Sequence, residues 1–230
     1  MNLQMKSLVA AACTIGMVCT AGASTVKFDF GTSTSAVQTG WTAFQSGNVA
    51  SPLTSSPDPV EGWTVTLTGP GGSGTVGGRD RAPYEASTGG TFTLDDVYSD
   101  FIVSFETMSI DGLDPSKVYD IQIIMFDDNV TDGRTQEVFN ATDGANDSLG
   151  STAGPGSGGA GGSLTSDLDF SVFGTGLAPD ASGSLDFRFT NSATTNRAIT
   201  NGIIITEVPE PSSLALLGLG GLCVLRRRRA

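Results

Sequence analysis

The alternation of apolar and polar residues along this chain limits its fold more than any other feature. Successive side chains of a β-strand point to opposite faces, so a strand with one buried face shows an apolar residue at every second position. Several segments follow this pattern, and they begin at Val26, Trp63, Phe101, Leu168 and Leu185. Residues 119–126 also alternate, but apolar side chains at 124 and 126 indicate a strand covered on both faces, and 203–205 is a continuous apolar run.

The segments between these runs contain the glycine, proline and aspartate residues that form tight turns. No part of the chain shows a sustained helical period. Roughly nine or ten short strands at this spacing predict an all-β fold, a single antiparallel β-sandwich of the jelly-roll type. Residues 150–163 are rich in glycine and serine, which predicts a mobile loop. That stretch could instead divide two domains, but neither half holds enough strands for a closed sandwich.

The C-terminal residues 208–230 combine three features of a sorting signal. Pro209-Glu210-Pro211 ends the last strand and keeps the backbone extended, as a protease substrate must be. The apolar run 214–225 follows, predicted to be a short hydrophobic helix, and four arginines at 226–229 stay on the cytoplasmic side of a membrane. This tail resembles the PEP-CTERM sorting signal, which implies recognition and removal by an exosortase.

The apolar run is shorter than the roughly 20 residues that a spanning helix needs. We therefore expect only transient anchoring in the inner membrane. The N-terminus carries a matching export signal, because Lys6 precedes an apolar stretch and Ala21-Gly22-Ala23 fits the site cut by signal peptidase. Residues 1–23 are thus predicted to be a signal peptide, cut between Ala23 and Ser24. A lipoprotein signal at Cys13 and an N-terminal core helix are the alternatives.

These signals predict an exported protein of the cell envelope or extracellular space, with its folded domain at 24–207. Five of the 12 basic residues lie in the signals, so residues 24–211 carry seven basic against 24 acidic residues. Such a surface repels nucleic acid and anionic headgroups, and it attracts divalent cations.

Two residue types that carry much enzyme chemistry are missing from the predicted domain. The three cysteines, Cys13, Cys19 and Cys223, all lie in the signals, which excludes disulfides and cysteine metal sites from the mature domain. The chain has no histidine, which excludes Ser-His-Asp systems and histidine-bound zinc. Acid–base chemistry is left to carboxylates, lysine and tyrosine.

Several short stretches resemble bacterial secreted β-sandwich proteins related to galactose-binding and malectin-like domains. The matching stretches are 26–31, 40–41, 78–81, 98–101, 110–120 and 201–205. The resemblance implies a β-sandwich whose rim loops bind sugars through aromatic stacking and polar side chains.

The candidate ligand-binding residues are an aromatic and charged set near turns: Trp41, Arg79, Asp80, Arg81 and Tyr84. Sugars stack their C–H faces on aromatic rings, and arginine beside aspartate can hold hydroxyl or carboxylate groups. The alternative is structural, with the aromatic rings in the core and Arg81 paired with Asp100.

A candidate calcium loop comprises Asp127, Asp128, Asn129 and Asp132, because hard cations bind clustered oxygen atoms on a turn. Its spacing does not fit an EF-hand. A second acidic turn holds Asp143, Asn146 and Asp147. A simple solvated turn is the alternative for both, and we expect no other cofactor.

We interpret the chain as a non-catalytic envelope or extracellular-matrix protein sorted by an exosortase and associated with exopolysaccharide. A carbohydrate-binding module is the second interpretation. A carboxylate-dependent glycoside hydrolase is the third, with a pair such as Asp95-Asp96, but neighbouring strand residues would point to opposite faces. No catalytic residue is assigned.

Overall fold

The computed structural model describes residues 23–72, 74–80, 93–127, 135–153, 168, 170–192 and 198–209. Ala23–Val208 forms a compact unit of its own. Its strands are β1 Thr25–Gly31, β2 Thr42–Gln45, β3 Val49–Ala50, β4 Leu53–Thr54, β5 Thr64–Thr68, β6 Thr75–Asp80, β7 Asp100–Phe105, β8 Thr107–Asp111, β9 Tyr119–Ile124, β10 Thr135–Asn140, β11 Asp147–Ala153, β12 Ser171–Leu177, β13 Ser184–Asn191, β14 Ala198–Thr200 and β15 Gly202–Glu207. One short helix, α1 Asp95–Ser99, precedes β7.

These strands form three sheets. The first has the order β12-β9-β15-β1-β2, the second β11-β10-β13-β8-β5-β4 and the third β14-β7-β6-β3. The strand pairs are antiparallel except β1 and β2, which run parallel. The predicted all-β antiparallel sandwich is therefore confirmed. Across the described ranges, no helix is long and apolar enough to cross a membrane.

One large core lies inside the sandwich and receives side chains from all three sheets. Val65 and Leu67 of β5, with Phe187 of β13, are buried where the alternation predicts them. Trp63 also lies in this core, where its ring meets that of Tyr119 edge to face at a centroid distance of 5.5 Å. Burial of such large side chains is the main source of stability in a domain without disulfides.

A second, smaller core covers one end of the outer face of the five-stranded sheet. It contains Ile124 and Phe126 together with Val97 and Tyr98 of α1, and Trp41 packs against its edge. Ile121 and Ile123 of the same strand point instead into the main core. The prediction that this strand is covered on both faces is confirmed, because α1 supplies the outer cover.

The structure departs from the predicted alternation in two places. Leu168 is 61% exposed in a turn, and β12 begins only at Ser171. In β7 the expected face of 101, 103 and 105 is broken, because Ser104 has a φ of 73° and the pairing with β14 shifts there. Ile102 and Phe105 consequently enter the main core.

The glycine-rich stretch begins differently from the prediction. Residues 150–153 are not a loop but the end of β11, paired with β10. Backbone pairing requires no apolar side chain, so composition alone missed it. Residues 154–163 lie outside the described part, as do residues 1–22 of the predicted signal peptide at 1–23 and the predicted tail helix.

Candidate functional site

Trp41 lies at the edge of the second core. Its ring is half-buried, and a Cβ atom on Gly202 would lie 2.9 Å from it. Lys27 Nζ lies over the ring at 5.8 Å from the centroid. Trp41 thus combines a packing role with a partly accessible ring, so both interpretations of this residue remain compatible with its position.

Arg79 and Asp80 occupy the end of β6. Arg79 Nη1 donates hydrogen bonds to Asn48 Oδ1 and to the Gly78 carbonyl, both at 3.0 Å. Asp80 is exposed and lies opposite Asp100 in the β6–β7 ladder. Arg79 and Trp41 therefore have different contact partners. Arg81 and Tyr84 lie outside the described residues.

The predicted calcium loop is described only at its first residue. Asp127 is buried, whereas Asp128, Asn129 and Asp132 lie outside the described residues. In the second acidic turn, Asp143 Oδ1 accepts a hydrogen bond from the Ala145 amide at 2.9 Å, as turn aspartates commonly do. In the part of the chain that the structure describes, no three acidic, histidine or cysteine side chains converge as a metal site.

The terminal motifs flank the folded unit. The Ser24 hydroxyl, beside Ala23 at the predicted signal cut, donates to Glu61 Oε1 at 2.7 Å. Pro209 follows directly after β15 and Val208, while Glu210 and Pro211 lie outside the described residues. Asp95 and Asp96, considered above as adjacent strand residues, instead occupy the first turn of α1.

The most unusual electrostatic feature is a pair of buried aspartates that the sequence did not single out. Asp29 of β1 is 2% exposed and Asp100 of β7 is 1% exposed. Asp29 Oδ2 accepts a hydrogen bond from the Gln38 amide at 2.6 Å, and the Ser35 hydroxyl hydrogen-bonds to Asp100. The Oδ1 atom of each carboxylate is buried without any hydrogen-bond partner.

Burial dominates the acid–base behaviour of this pair. It raises the pKa of Asp100 from 3.8 to about 8, against the lowering effect of the Ser35 hydroxyl, and the negative charges of Asp29, Asp80 and Asp96 raise it further. Burial likewise raises the pKa of Asp29 to about 6, with the Gln38 amide lowering it and Asp96 raising it. Removing a carboxylate from water disfavours its charged form, and nearby like charges add to that effect.

Asn201 fixes the backbone around these carboxylates. Its Nδ2 donates to the Asp100 carbonyl at 2.7 Å, and its Oδ1 accepts from the Phe126 amide. Its own backbone amide donates to the Ile124 carbonyl at 2.9 Å, and its carbonyl accepts from Phe30 at 2.8 Å. Through its side chain and its backbone together, this one buried residue therefore links β7, β9 and β1 where the two aspartates lie.

The other end of the same outer face, which no described segment covers, forms a shallow cleft of about 190 Å³. Phe173, Gln122, Ile204 and Lys27 lie in one row across four neighbouring strands. Phe173 is 45% exposed. Sequence reasoning missed this aromatic residue because it follows Val172 in an alternating strand, and an outward residue of such a strand carries no local signal of function.

A larger surface cleft of about 430 Å³ lies elsewhere, lined by residues 140, 142, 143 and 176–180. Among the described residues, its lining includes Asp143 and Asp180 but no aromatic side chain. Asp180 Oδ1 accepts hydrogen bonds from the Ser182 and Ser184 amides at 2.9 Å, so this carboxylate serves its own turn. The cleft offers polar turns and no stacking surface.

Comparisons with known proteins find one match to a sequence motif and a distant structural similarity. No match is found among curated proteins. The chain is similar to a calcium-binding mutant of Bacteroides uniformis β-glucuronidase 2 at 13% identity and a TM-score of 0.45, covering 80% of this chain and 18% of that one. It is also similar to Bacteroides uniformis β-glucuronidase at 14% identity and a TM-score of 0.43, covering 79% of this chain and 18% of the other.

The chain thus spans less than a fifth of the length of these enzymes. The match to a sequence motif concerns the tail, where residues 207–229 match the family model of the PEP-CTERM protein-sorting motif. The C-terminus of this chain carries a PEP-CTERM sorting motif, a signal found on exported proteins of the cell envelope.

Proposed function

We propose that this chain is a non-catalytic, exported β-sandwich protein of the cell envelope or extracellular matrix, released from its C-terminal tail by an exosortase. The sorting motif at 207–229 is the observation that carries the proposal. The position of the last strand supports it. β15 ends at Glu207, and the Val208 amide donates to the Val118 carbonyl at 2.9 Å, so the sandwich is complete before Pro209. A cut within or after the motif leaves every described strand in place.

The experiment is an intact-mass measurement of the protein purified from its native host, in a normal strain and in a strain without exosortase. We expect the normal strain to yield a product lacking the arginines at 226–229 and the other strain to retain them. A matched variant with alanine at Pro209 and Pro211 should also retain them. If the normal strain retains the arginines, exosortase removal is refuted.

Two features support the absence of catalysis. The chain contains no histidine. The buried carboxylates Asp29 and Asp100 lie under the second core, where a substrate has no access, because both are almost fully buried. A glycosidase needs two carboxylates that flank an accessible bond. Release of a chromophore from a panel of aryl glycosides by the purified protein would contradict this part of the proposal.

A second candidate function is carbohydrate binding at the shallow cleft beside Phe173 on the outer face. Phe173 offers an exposed ring, and Gln122 and Lys27 lie in its row as hydrogen-bonding groups. Lys27 in turn lies over the ring of Trp41, so two aromatic side chains border a row that contains Gln122, Ile204 and Lys27. Sugars bind such surfaces by stacking on the rings while their hydroxyls take hydrogen bonds from polar side chains.

Glycan-array binding of the purified protein tests this second function. We expect Phe173→Ala and Trp41→Ala to abolish binding, while Val60→Ala leaves it unchanged because Val60 is 81% exposed and does not belong to the row of Phe173 and Lys27. Circular dichroism verifies that each variant is folded. Arg81→Ala tests the loop predicted from the sequence by the same assay. A wild type that binds no glycan refutes carbohydrate binding.

A further inference from the structure

Asp29 and Asp100 reach the same small region from different strands. Residues two apart on a strand share a face, so Asp29 and Gly31 both point to the outer face of β1. The carboxylate of Asp100 occupies the space that a side chain at Gly31 would fill, because a Cβ atom there would lie 2.0 Å from Asp100 Oδ2. The same Cβ atom would lie 2.9 Å from Ser35 Oγ. Two carboxylates and a hydroxyl are therefore neighbours on this face.

Among the residues that the structure describes, this region has an excess of acceptors and a deficit of positive charge. Each Oδ1 atom is buried without a partner, and the charges of Asp80 and Asp96 act on Asp100 as well. Within the described part of the chain, no lysine or arginine forms an ion pair with either buried aspartate. An ionised carboxylate buried without a countercharge costs several kcal/mol.

A bound cation removes this deficit. Calcium takes six to eight oxygen ligands, drawn from carboxylates, hydroxyls, carbonyls and water, at flexible geometry. Two carboxylates and one hydroxyl match its chemistry as a partial ligand set that water can complete. Magnesium fits less well, because it demands near-ideal octahedral geometry and releases water reluctantly.

We propose that Asp29, Asp100 and the Ser35 hydroxyl form a calcium site beneath α1 on the outer face of the five-stranded sheet. The unpartnered Oδ1 atoms are its primary ligands. The site is separate from the acidic loop that begins at Asp127, because it is built from β1, β7 and the segment after β1. In the calcium-bound form both carboxylates are ionised, and the ion balances a negative charge that no described side chain balances.

The site also explains how the segment after β1 is held. The Gln38 amide donates to Asp29, and Gln38 Oε1 accepts from the Asp96 amide of α1 at 3.3 Å. Gln45 Nε2 donates to the Ser35 carbonyl at 2.6 Å. A cation bound between Asp29 and Asp100 draws β1, β7 and this segment together, so calcium binding and ordering of the segment are linked.

The test is direct calcium binding to the full-length chain, purified in detergent and stripped with chelator. Isothermal titration calorimetry with CaCl2 measures affinity, and terbium emission sensitised by nearby aromatic rings reports the site itself. We expect one saturable site in the wild type. Asp29→Asn and Asp100→Asn should weaken binding about ten-fold or more, as loss of a ligand does. The matched control Asp114→Asn, in an exposed turn, should bind as the wild type does.

The absence of binding to wild-type protein at millimolar calcium overturns the proposal. So does unchanged affinity in both Asp29→Asn and Asp100→Asn. Asparagine keeps the shape of aspartate, and circular dichroism verifies folding. If Asp100→Asn does not fold, Asp29→Asn and Ser35→Ala carry the test. If Asp127→Asn alone removes binding, the site lies in the acidic loop and the proposal is wrong.

Discussion

Replacement of Asp100 by asparagine in calcium-free protein should make the domain more stable at alkaline pH. Asparagine preserves the size of the side chain and can still accept the hydrogen bond from Ser35. It removes a charge that is 1% exposed and surrounded by the carboxylates of Asp29, Asp80 and Asp96. The substitution therefore removes the cost of ionising Asp100 inside the fold while changing little of its packing.

The sign of this change in stability follows from the raised pKa of Asp100. Between the ordinary value of 3.8 and the folded value of about 8, folded Asp100 holds a proton and unfolded Asp100 does not. The folded state binds more protons in this window, so its stability falls as pH rises from about 4 to about 8. One pKa unit corresponds to about 1.4 kcal/mol, which sets an upper limit of about 6 kcal/mol. Relaxation and entry of water reduce such costs, so we expect a difference of about 3 kcal/mol at pH 8.

Urea unfolding at several pH values in EDTA, for the wild type and Asp100→Asn, measures this difference. The two proteins should have nearly equal stability at or below pH 4 and diverge as pH rises. Asp180→Asn is the matched control with the opposite sign. Hydrogen bonds from Ser182 and Ser184 lower the pKa of Asp180, so its charge stabilises the fold above its ordinary pKa. At pH 8, Asp180→Asn should therefore be less stable than the wild type.

The reasoning fails if Asp100→Asn is less stable than the wild type at pH 8 in EDTA. It also fails if the difference between the two proteins does not vary with pH. Either result would mean that the surroundings of Asp100 stabilise its charge, in contrast to the unpartnered Oδ1 atom that the structure shows.

Three further expectations concern stability and are measured by thermal or urea unfolding. Gly31→Ala places a methyl carbon 2.0 Å from Asp100 Oδ2 and should cost about 1–3 kcal/mol, whereas Gly47→Ala, with no atom within 4 Å, should be nearly neutral. Equal effects of the two substitutions would contradict the close approach. Asn201→Ala leaves a buried amide and a buried carbonyl without their side-chain partner and should cost about 2–4 kcal/mol. Melting of the processed protein should be the same with and without dithiothreitol, because the cysteines lie in the terminal signals; a shift with dithiothreitol would show that a cysteine remains.

The sandwich could be predicted because alternation reports burial one strand at a time. Val65, Leu67 and Phe187 lie in the core, as the alternation of apolar and polar residues predicts. The pattern fails where the backbone leaves regular geometry. The positive φ of Ser104 exchanges the faces of β7, and no polarity pattern signals such a bulge.

The buried aspartates could not be recognised in the same way. Asp29 lies between Phe28 and Phe30, so a half-buried strand places it outward and, by default, in water. It is buried because the segment after β1 and helix α1 approach this end of the outer face, where the Gln38 amide bonds to Asp29 and the charge of Asp96 acts on it. The apolar residues at 124 and 126 did indicate such a cover, but the sequence did not show that it extends over Asp29. Asp100 comes from a different sheet, and its approach to Gly31 depends entirely on tertiary structure.

Residues 32–41 connect the buried carboxylates with the open half of the outer face. Gln38 bonds to Asp29 through its amide, and its carbonyl accepts from the Trp41 amide at 3.0 Å. Trp41 in turn borders the strip of Lys27 and Phe173, which is the candidate sugar surface. A cation that fixes Asp29 therefore also fixes the backbone that carries this ring. Glycan binding at this face should weaken in EDTA and return with calcium, and glycan binding indifferent to calcium would show that the two sites act independently.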